Sequence, residues 1–236
     1  MEKENQYLIE LKKIFWENDI HPSEDQLERM ARYAELLVGK NKIVNLISRK
    51  DEAKVIENHI FISAFVAGYM PERVTKFLDI GTGGGLPGIP FSIMNPLLRG
   101  VLVDSTKKKI DAVSEFVKTL KLSKIKAINS RVESPEFIEE YSQKFDLIVS
   151  RATVPLVILF RYALPLIKDR AYIMAIKGGD LTEEFRTAKI KYGSYIKRHT
   201  TFELAYKPSN LRNANEKKLV LMELIKWQNK KNYLMK

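Results

Sequence analysis

The stretch FLDIGTGGGLPGIP, Phe77 to Pro90, sets five glycines directly behind a short apolar run. Glycine loses more backbone entropy on folding than any other residue. At this density the chain must therefore need conformations, or close approaches, that a side chain forbids. A β-rich run, a tight glycine turn and a helix opening at Pro87 make the first unit of an open α/β sheet, where ligands sit at the carboxyl ends of the strands. Gly81 and Gly83 are expected at positive φ, and Gly85 where a ligand approaches the main chain. Pro87 suits the first turn of the helix, whose free N–H groups favour a negative or polar ligand group.

The rest of the chain extends this unit. From residue 73 short β-rich runs (TKFLDI, GVLVD, IKAIN, FDLIVS, AYIMAI) alternate with helical stretches near 87–95, 106–120, 134–141, 155–167 and 180–190. Such alternation implies right-handed crossovers and a parallel sheet with helices on both faces. The end breaks the rhythm, because SYIKRHTTFEL and KKLVLMELIKW read as two strands with no helical pattern between them. The expectation for residues 71–236 is an α/β, Rossmann-like domain, a mostly parallel seven-stranded sheet closed by an antiparallel hairpin. Dinucleotide dehydrogenases usually continue into a substrate domain instead.

Residues 1–70 read as a helical extension. Leu8, Leu11, Ile14 and Phe15 share one helical face, and Ser23 with Gln26 has the form of a capping box. The helix that Ser23 starts buries Leu27, Met30, Ala34 and Leu37. AKVIENHIFISAFVAGYM reads as a third helix ending near Gly68 and Pro71.

Composition narrows the chemistry. The chain has no cysteine and three scattered histidines, so disulfides, thiolate metal sites, cysteine nucleophiles and a protein-built metal site are not expected. The N-terminus has no apolar signal core and no run long enough to span a bilayer, which points to a cytoplasmic protein. Residues 1–70 carry 10 Lys and Arg against 12 Asp and Glu, and the remainder 30 against 17. The excess positive charge lies entirely on the part that holds the glycine loop. It suggests a polyanionic partner, most often nucleic acid, with plain lysine-rich solubility as the alternative.

Gly83 to Gly88 formally matches the dinucleotide pattern GxGxxG. Asp79, two residues before the first glycine, argues against a pyrophosphate there. An acid at that point would instead assist a cationic amine, and S-adenosylmethionine (SAM) carries an ammonium and a sulfonium but no phosphate. Asp104 ends the second strand, where an acid accepts hydrogen bonds from both hydroxyls of an adenosine ribose. Arg131, Val132 and Glu133 end the third strand, the position that borders the adenine. Ser150 and Arg151 end the fourth and face the methyl-donor end. Two other classes stay open on these residues, an NAD(P)-dependent oxidoreductase and a non-enzymatic RNA-binding factor that keeps the fold.

DIGTGGGLPGIP, VDSTKKK, SRVE, SRAT and IKGG, with NKIVNLIS in the helical region, together resemble one bacterial family, the 16S ribosomal RNA guanine-N7 methyltransferases (RsmG or GidB), over about residues 27 to 226. The resemblance implies a class I SAM-dependent methyltransferase fold and SAM contacts at Gly81, Leu86, Asp104, Ser105, Val132, Glu133 and Arg151. Asp79 and Gly83 join these from the loop itself. It implies a partner as well, the small ribosomal subunit, with methylation at N7 of one guanine in the 530 loop of its RNA. The family usually has R-H-x-x-D-S where this chain reads NHIFIS, so Asn58 and Ile62 replace an arginine and an acid, and His59 is read as a core histidine. Arg151 is the candidate for the groove between donor and base. Lysines 107–109, 121, 124, 126, 207, 217 and 218, with Arg212, are candidates to track phosphates. Nothing in the sequence demands more than a monomer.

Overall fold

The computed structural model describes residues 5–151, 154–214 and 216–226. Its strands are β1 (Lys76–Ile80), β2 (Arg99–Asp104), β3 (Ile125–Asn129), β4 (Phe145–Arg151), β5 (Ile167–Gly178), β6 (Ile196–Glu203) and β7 (Lys217–Ile225). They form one seven-stranded sheet in the order β3-β2-β1-β4-β5-β7-β6. β1 to β5 pair in parallel, and β7 lies antiparallel between β5 and β6. The terminal hairpin is therefore present and inserts its second strand inside its first. Trp227 of the expected last strand lies outside the described residues, as do Ala152 and Thr153 after β4. The strand order reverses between β1 and β4, which is where ligands enter sheets of this kind.

Helices cover both faces. α1 (Gln6–Glu17), α2 (Glu24–Asn41), α3 (Ile62–Ala67), α4 (Gly88–Met94) and α5 (Lys107–Thr119) contribute to one apolar core. α6 (Pro135–Tyr141), α7 (Leu156–Leu166) and α8 (Thr182–Tyr192) build the other. The pleat alternates side chains between the two. Phe77 belongs to the first core and Leu78 and Ile80 to the second; Leu147 and Val149 belong to the first and Ile148 to the second. By the same alternation Asp79 and Arg151 fall on the face covered by the N-terminal helices. The capping box forms as expected, with Ser23 Oγ accepting from Gln26 N and Gln26 Oε1 from Ser23 N. Gln26 also donates to the carbonyls of Ile93 and Met94, which ties α2 to the end of α4.

The third helix differs from expectation. Its sequence divides into a 3-10 turn (Arg49–Lys54), a π-helical turn (Ile56–Phe61) and α3. Ile62 N donates to His59 O, and the Asn58 carbonyl instead accepts from Arg151 Nη2 at 2.7 Å. A side chain that enters the helical ladder takes up a carbonyl in this way, and π turns gather at functional sites. Apolar periodicity alone reads straight through such a turn. Among the described residues no helix is long and apolar enough to cross a membrane.

Candidate active site

The glycine loop is held from behind. Gly81, Gly83 and Gly85 all adopt positive φ. Gly85 does not serve the close ligand approach expected of it: it is buried, and a Cβ there would lie 2.5 Å from Ile89 Cδ1 and 3.3 Å from the Tyr33 hydroxyl. Its role is to let the loop fold under α2. The Tyr33 hydroxyl donates to Gly84 O at 2.9 Å, and Leu37 and Leu46 close over Gly84. Leu86 is buried at the loop's end.

Asp79 anchors the same loop. Its Oδ2 accepts from Thr82 Oγ1 at 2.7 Å and from Gly88 N at 2.9 Å. The first N–H of α4, expected to be free for a ligand, is therefore taken from inside the protein. Oδ1 is fully buried and, among the described residues, has no hydrogen-bond partner. Burial pushes this carboxyl up to about 7, although the two hydrogen bonds oppose that shift.

This packing makes Gly88 the most restrictive position of the loop. A Cβ there would sit 2.2 Å from Leu102 Cδ2 and 2.8 Å from Asp79 Oδ2. Overpacking of this kind destabilises by about 1–3 kcal/mol. Gly88→Ala is expected to lower the urea midpoint of unfolding with an unchanged m value. An unchanged midpoint would show that the Asp79–Gly88 packing does not constrain the loop.

Asp104, at the carboxyl end of β2, faces the other side of the loop. Its Oδ2 accepts from Gly83 N at 3.1 Å and its Oδ1 from Thr106 N at 2.9 Å. Each carboxylate oxygen can accept a second donor. A cavity of about 220 Å³ adjoins it, lined by Gly81, Asp104, Ser105, Val132 and Glu133. Five of the nine expected site residues thus converge on one concave space. Val154 and Tyr162 line it too, and sequence reasoning missed both. Tyr162 is the half-buried flank of α7, whose other turns bury Leu159, Phe160 and Ala163. A phenol beside so apolar a stripe was the available signal.

Arg151 does not line this cavity. Its Nη2 donates to Asn58 O at 2.7 Å and lies 2.9 Å from His59 Nδ1, and Nη1 donates to His59 O at 3.4 Å. A guanidinium only donates, so Nδ1 is the acceptor and carries no proton. His59 is buried, as a core histidine would be, but it is also a partner of Arg151. Burial first, and then the Arg151 charge, pull its pKa down to about 4, so the imidazole is neutral. Its Nε2 lies 3.5 Å from Asp51 Oδ2. Asn58, which replaces the family's usual arginine, donates to Asp51 Oδ1 at 3.2 Å and accepts from Lys217 Nζ at 3.3 Å. The segment NHIFIS, which departs from the family pattern, is thus the seat of Arg151.

The expected phosphate-tracking lysines do not form one surface. Lys107 and Lys108 are exposed at the start of α5, close to Ser105. Lys121 and Lys124 precede β3 and Lys126 is its second residue, so all three belong to the amino-end rim, opposite the loop. Lys217 is held by Asn58, and Lys218 by Gly179 O and Glu203.

The strand order, the glycine loop behind β1 and the acid ending β2 define a methyltransferase of the class I, Rossmann-like fold. An O-methyltransferase from Bacillus cereus, solved in complex with SAH, shares that fold at a TM-score of 0.60 and 14% identity, over 93% of this chain and 98% of its own. The chain belongs to the GidB family, described as rRNA small subunit methyltransferase G, whose model matches residues 26–211. Its relatives include the ribosomal RNA small subunit methyltransferase G of Chlorobium limicola, 40% identical over 80% of this chain and 84% of the relative. That of Chlorobaculum tepidum is 40% identical over 76% of this chain and 81% of the relative.

Proposed function

We propose that the chain transfers a methyl group from SAM to N7 of a guanine in small-subunit ribosomal RNA, in the cytoplasm. The observation that carries this reading is the family match over residues 26–211, which contains every residue assigned to the donor site. The residues present fit SAM. Asp79 Oδ1, buried and without a partner among the described residues, suits the ammonium. Asp104 keeps acceptor capacity for the ribose hydroxyls, Val132 and Tyr162 supply walls for the adenine, and Gly81, Ser105 and Glu133 complete the lining. Gly83 N–H holds Asp104 in place. When bound, SAM supplies an electrophilic methyl group on a sulfonium.

Guanine N7 carries an in-plane lone pair and no proton, so its attack leaves nothing for a base to remove. What the chain must provide is alignment, exclusion of water and a favourable field. Arg151, fixed by two carbonyls and an imidazole, is the rigid charge for the donor end. The RNA must present an unstacked guanine, which costs a few kcal/mol unless the strand is already open. Methylated RNA, reduced and treated with aniline, is expected to break at one guanine of the small-subunit RNA. Methyl incorporation without such scission would remove N7 from the account.

For Asp104→Ala, two hydrogen bonds from the ribose are lost, a net cost of about 0.5–1.5 kcal/mol each once water takes up the freed hydroxyls. SAM affinity by calorimetry is expected to fall about 10- to 100-fold. Unchanged affinity would take Asp104 out of the site. Thermal shifts with NAD or NADP in place of SAM or S-adenosylhomocysteine would favour an oxidoreductase instead.

A further inference from the structure

A second concentration of charge lies at the opposite rim of the sheet, on the face covered by the N-terminal helices. A cavity of about 360 Å³ there is lined by Arg73, Arg170, Tyr172, Arg198 and Glu223 among others. Arg73 precedes β1 and Arg170 lies near the start of β5, so the cavity belongs to the amino-end rim. Tyr172 and Gly178 are six residues apart on β5, about 20 Å at ~3.3 Å per residue, which separates it from the glycine loop's rim.

The acid among the lining residues is Glu223, 7% exposed. Arg170 reaches its Oε1 at 2.5 and 2.6 Å, Lys197 at 3.5 Å and Arg73 at 3.9 Å. Burial pushes this carboxyl up, but Arg170 and Lys197 outweigh it and hold it below the usual range, so it stays ionised. Arg198 is the register partner of Glu223 across β6 and β7, yet it is exposed and, among the described residues, forms no ion pair. The register slips between Ile196 and Arg198. A bulge sets two successive residues against one on the partner strand, which brings both Lys197 and Arg198 to Glu223. Three cations thus reach one carboxylate within 4 Å, and a fourth, Arg198, stands opposite it in the register. The neighbouring acids Glu72 and Asp169 do not line the cavity.

Cations on an edge strand deter unwanted strand pairing, and β6 is an edge. That does not account for Arg170 on the interior strand β5, nor for Arg73, whose guanidinium lies 5.5 Å from the centre of the Tyr172 ring. Planar guanidinium forks converging with excess charge on a concave space suit phosphate oxygens. We propose that Arg73, Arg170, Lys197 and Arg198 form a phosphate-binding site that grips the backbone of the RNA substrate away from the nucleotide being methylated. The proposal rests on the RNA-substrate reading above.

The test measures binding of small-subunit RNA to the full chain across a range of salt, for wild type, the double variant Arg73→Glu/Arg198→Glu and Arg198→Lys. Each phosphate contact adds about 0.7–0.9 to the slope of log affinity against log salt. The double variant is expected to bind about tenfold or more weakly at low salt, with a slope smaller by about 1–2, while Arg198→Lys stays within about threefold of wild type. SAM affinity, measured in parallel, reports that each variant is folded. A double variant with wild-type SAM affinity, RNA affinity and salt slope would overturn the proposal. So would inorganic phosphate binding that the double variant loses while RNA affinity holds, since that assigns the site to a free anion. Wild-type protein that binds no small-subunit RNA would instead remove the reading beneath the site, and the site with it.

Discussion

An Arg151→Ala variant is expected to transfer methyl groups about 10²–10³-fold more slowly than wild type, while its affinity for small-subunit RNA changes by less than about threefold. The asymmetry follows from where Arg151 sits. The pleat of β4 turns it with Leu147 and Val149 toward the N-terminal helices, and the π-helical turn fixes it at two carbonyls and His59. An exposed phosphate contact would lower binding first. A half-buried, oriented charge beside the loop is expected to act on the transfer step, because an oriented group is strongest where reorganisation is smallest. Arg151→Lys is expected to recover little, since one ammonium does not reproduce a planar fork held at several acceptors. Equal losses in transfer and RNA binding would count against a donor-end role.

Asp79 gives the second large effect. With Asp79→Asn, SAM affinity is expected to fall about 10²–10³-fold, the loss typical of breaking a buried charge pair. The wild type carries a signature in pH. Folding raises this acid from its ordinary value of 3.8 to about 7. Between those values the folded state holds a proton that the unfolded state has released. The contribution to stability is therefore complete below about 4 and lost as pH rises through 7. A cationic amine beside Oδ1 favours the ionised form, so binding it expels the proton. SAM affinity is then expected to rise up to about tenfold per pH unit below 7 and to level off above it. Calorimetry across that window checks this, with Asp79→Asn expected to be flat. A wild type with no pH dependence would separate Asp79 from the amine.

Much of this architecture was legible in the chain. Strand–helix alternation and the two helix-free final strands gave the parallel sheet and its hairpin, because each signal is local and repeated. Asp104, Val132 and Glu133 were legible as strand-end residues, since parallel strands put all such ends on one rim. The supports of the loop were less accessible. Gly85 was read as open to a ligand, but whether bare backbone faces solvent or a neighbouring helix depends on contacts such as Tyr33–Gly84, 51 residues apart in sequence. The π turn was hidden because Ile56 to Ala67 is apolar enough to suit an unbroken helix. The Asn58 carbonyl within it is taken by Arg151, 93 residues away. The bulge at Lys197 has no glycine or proline to announce it.

Lys217 shows the same limit in charge. Counted along the sequence it joins a basic surface, but in the fold it donates to Asn58 and is half-buried. Burial first, and then the Arg151 charge, hold its pKa down. Net charge names the sign of a partner, and the fold decides which cations remain available to it.

The proposed activity is transfer of a methyl group from SAM to small-subunit RNA. The direct measurement is transfer of labelled methyl from SAM to small ribosomal subunits, and to their naked RNA, taken from cells that lack the activity. Incorporation is expected to approach one methyl per RNA, at a single guanine, and to be strongly slowed by Asp79→Asn and by Arg151→Ala. Absence of incorporation into either substrate, from protein that binds SAM, would contradict the proposed activity.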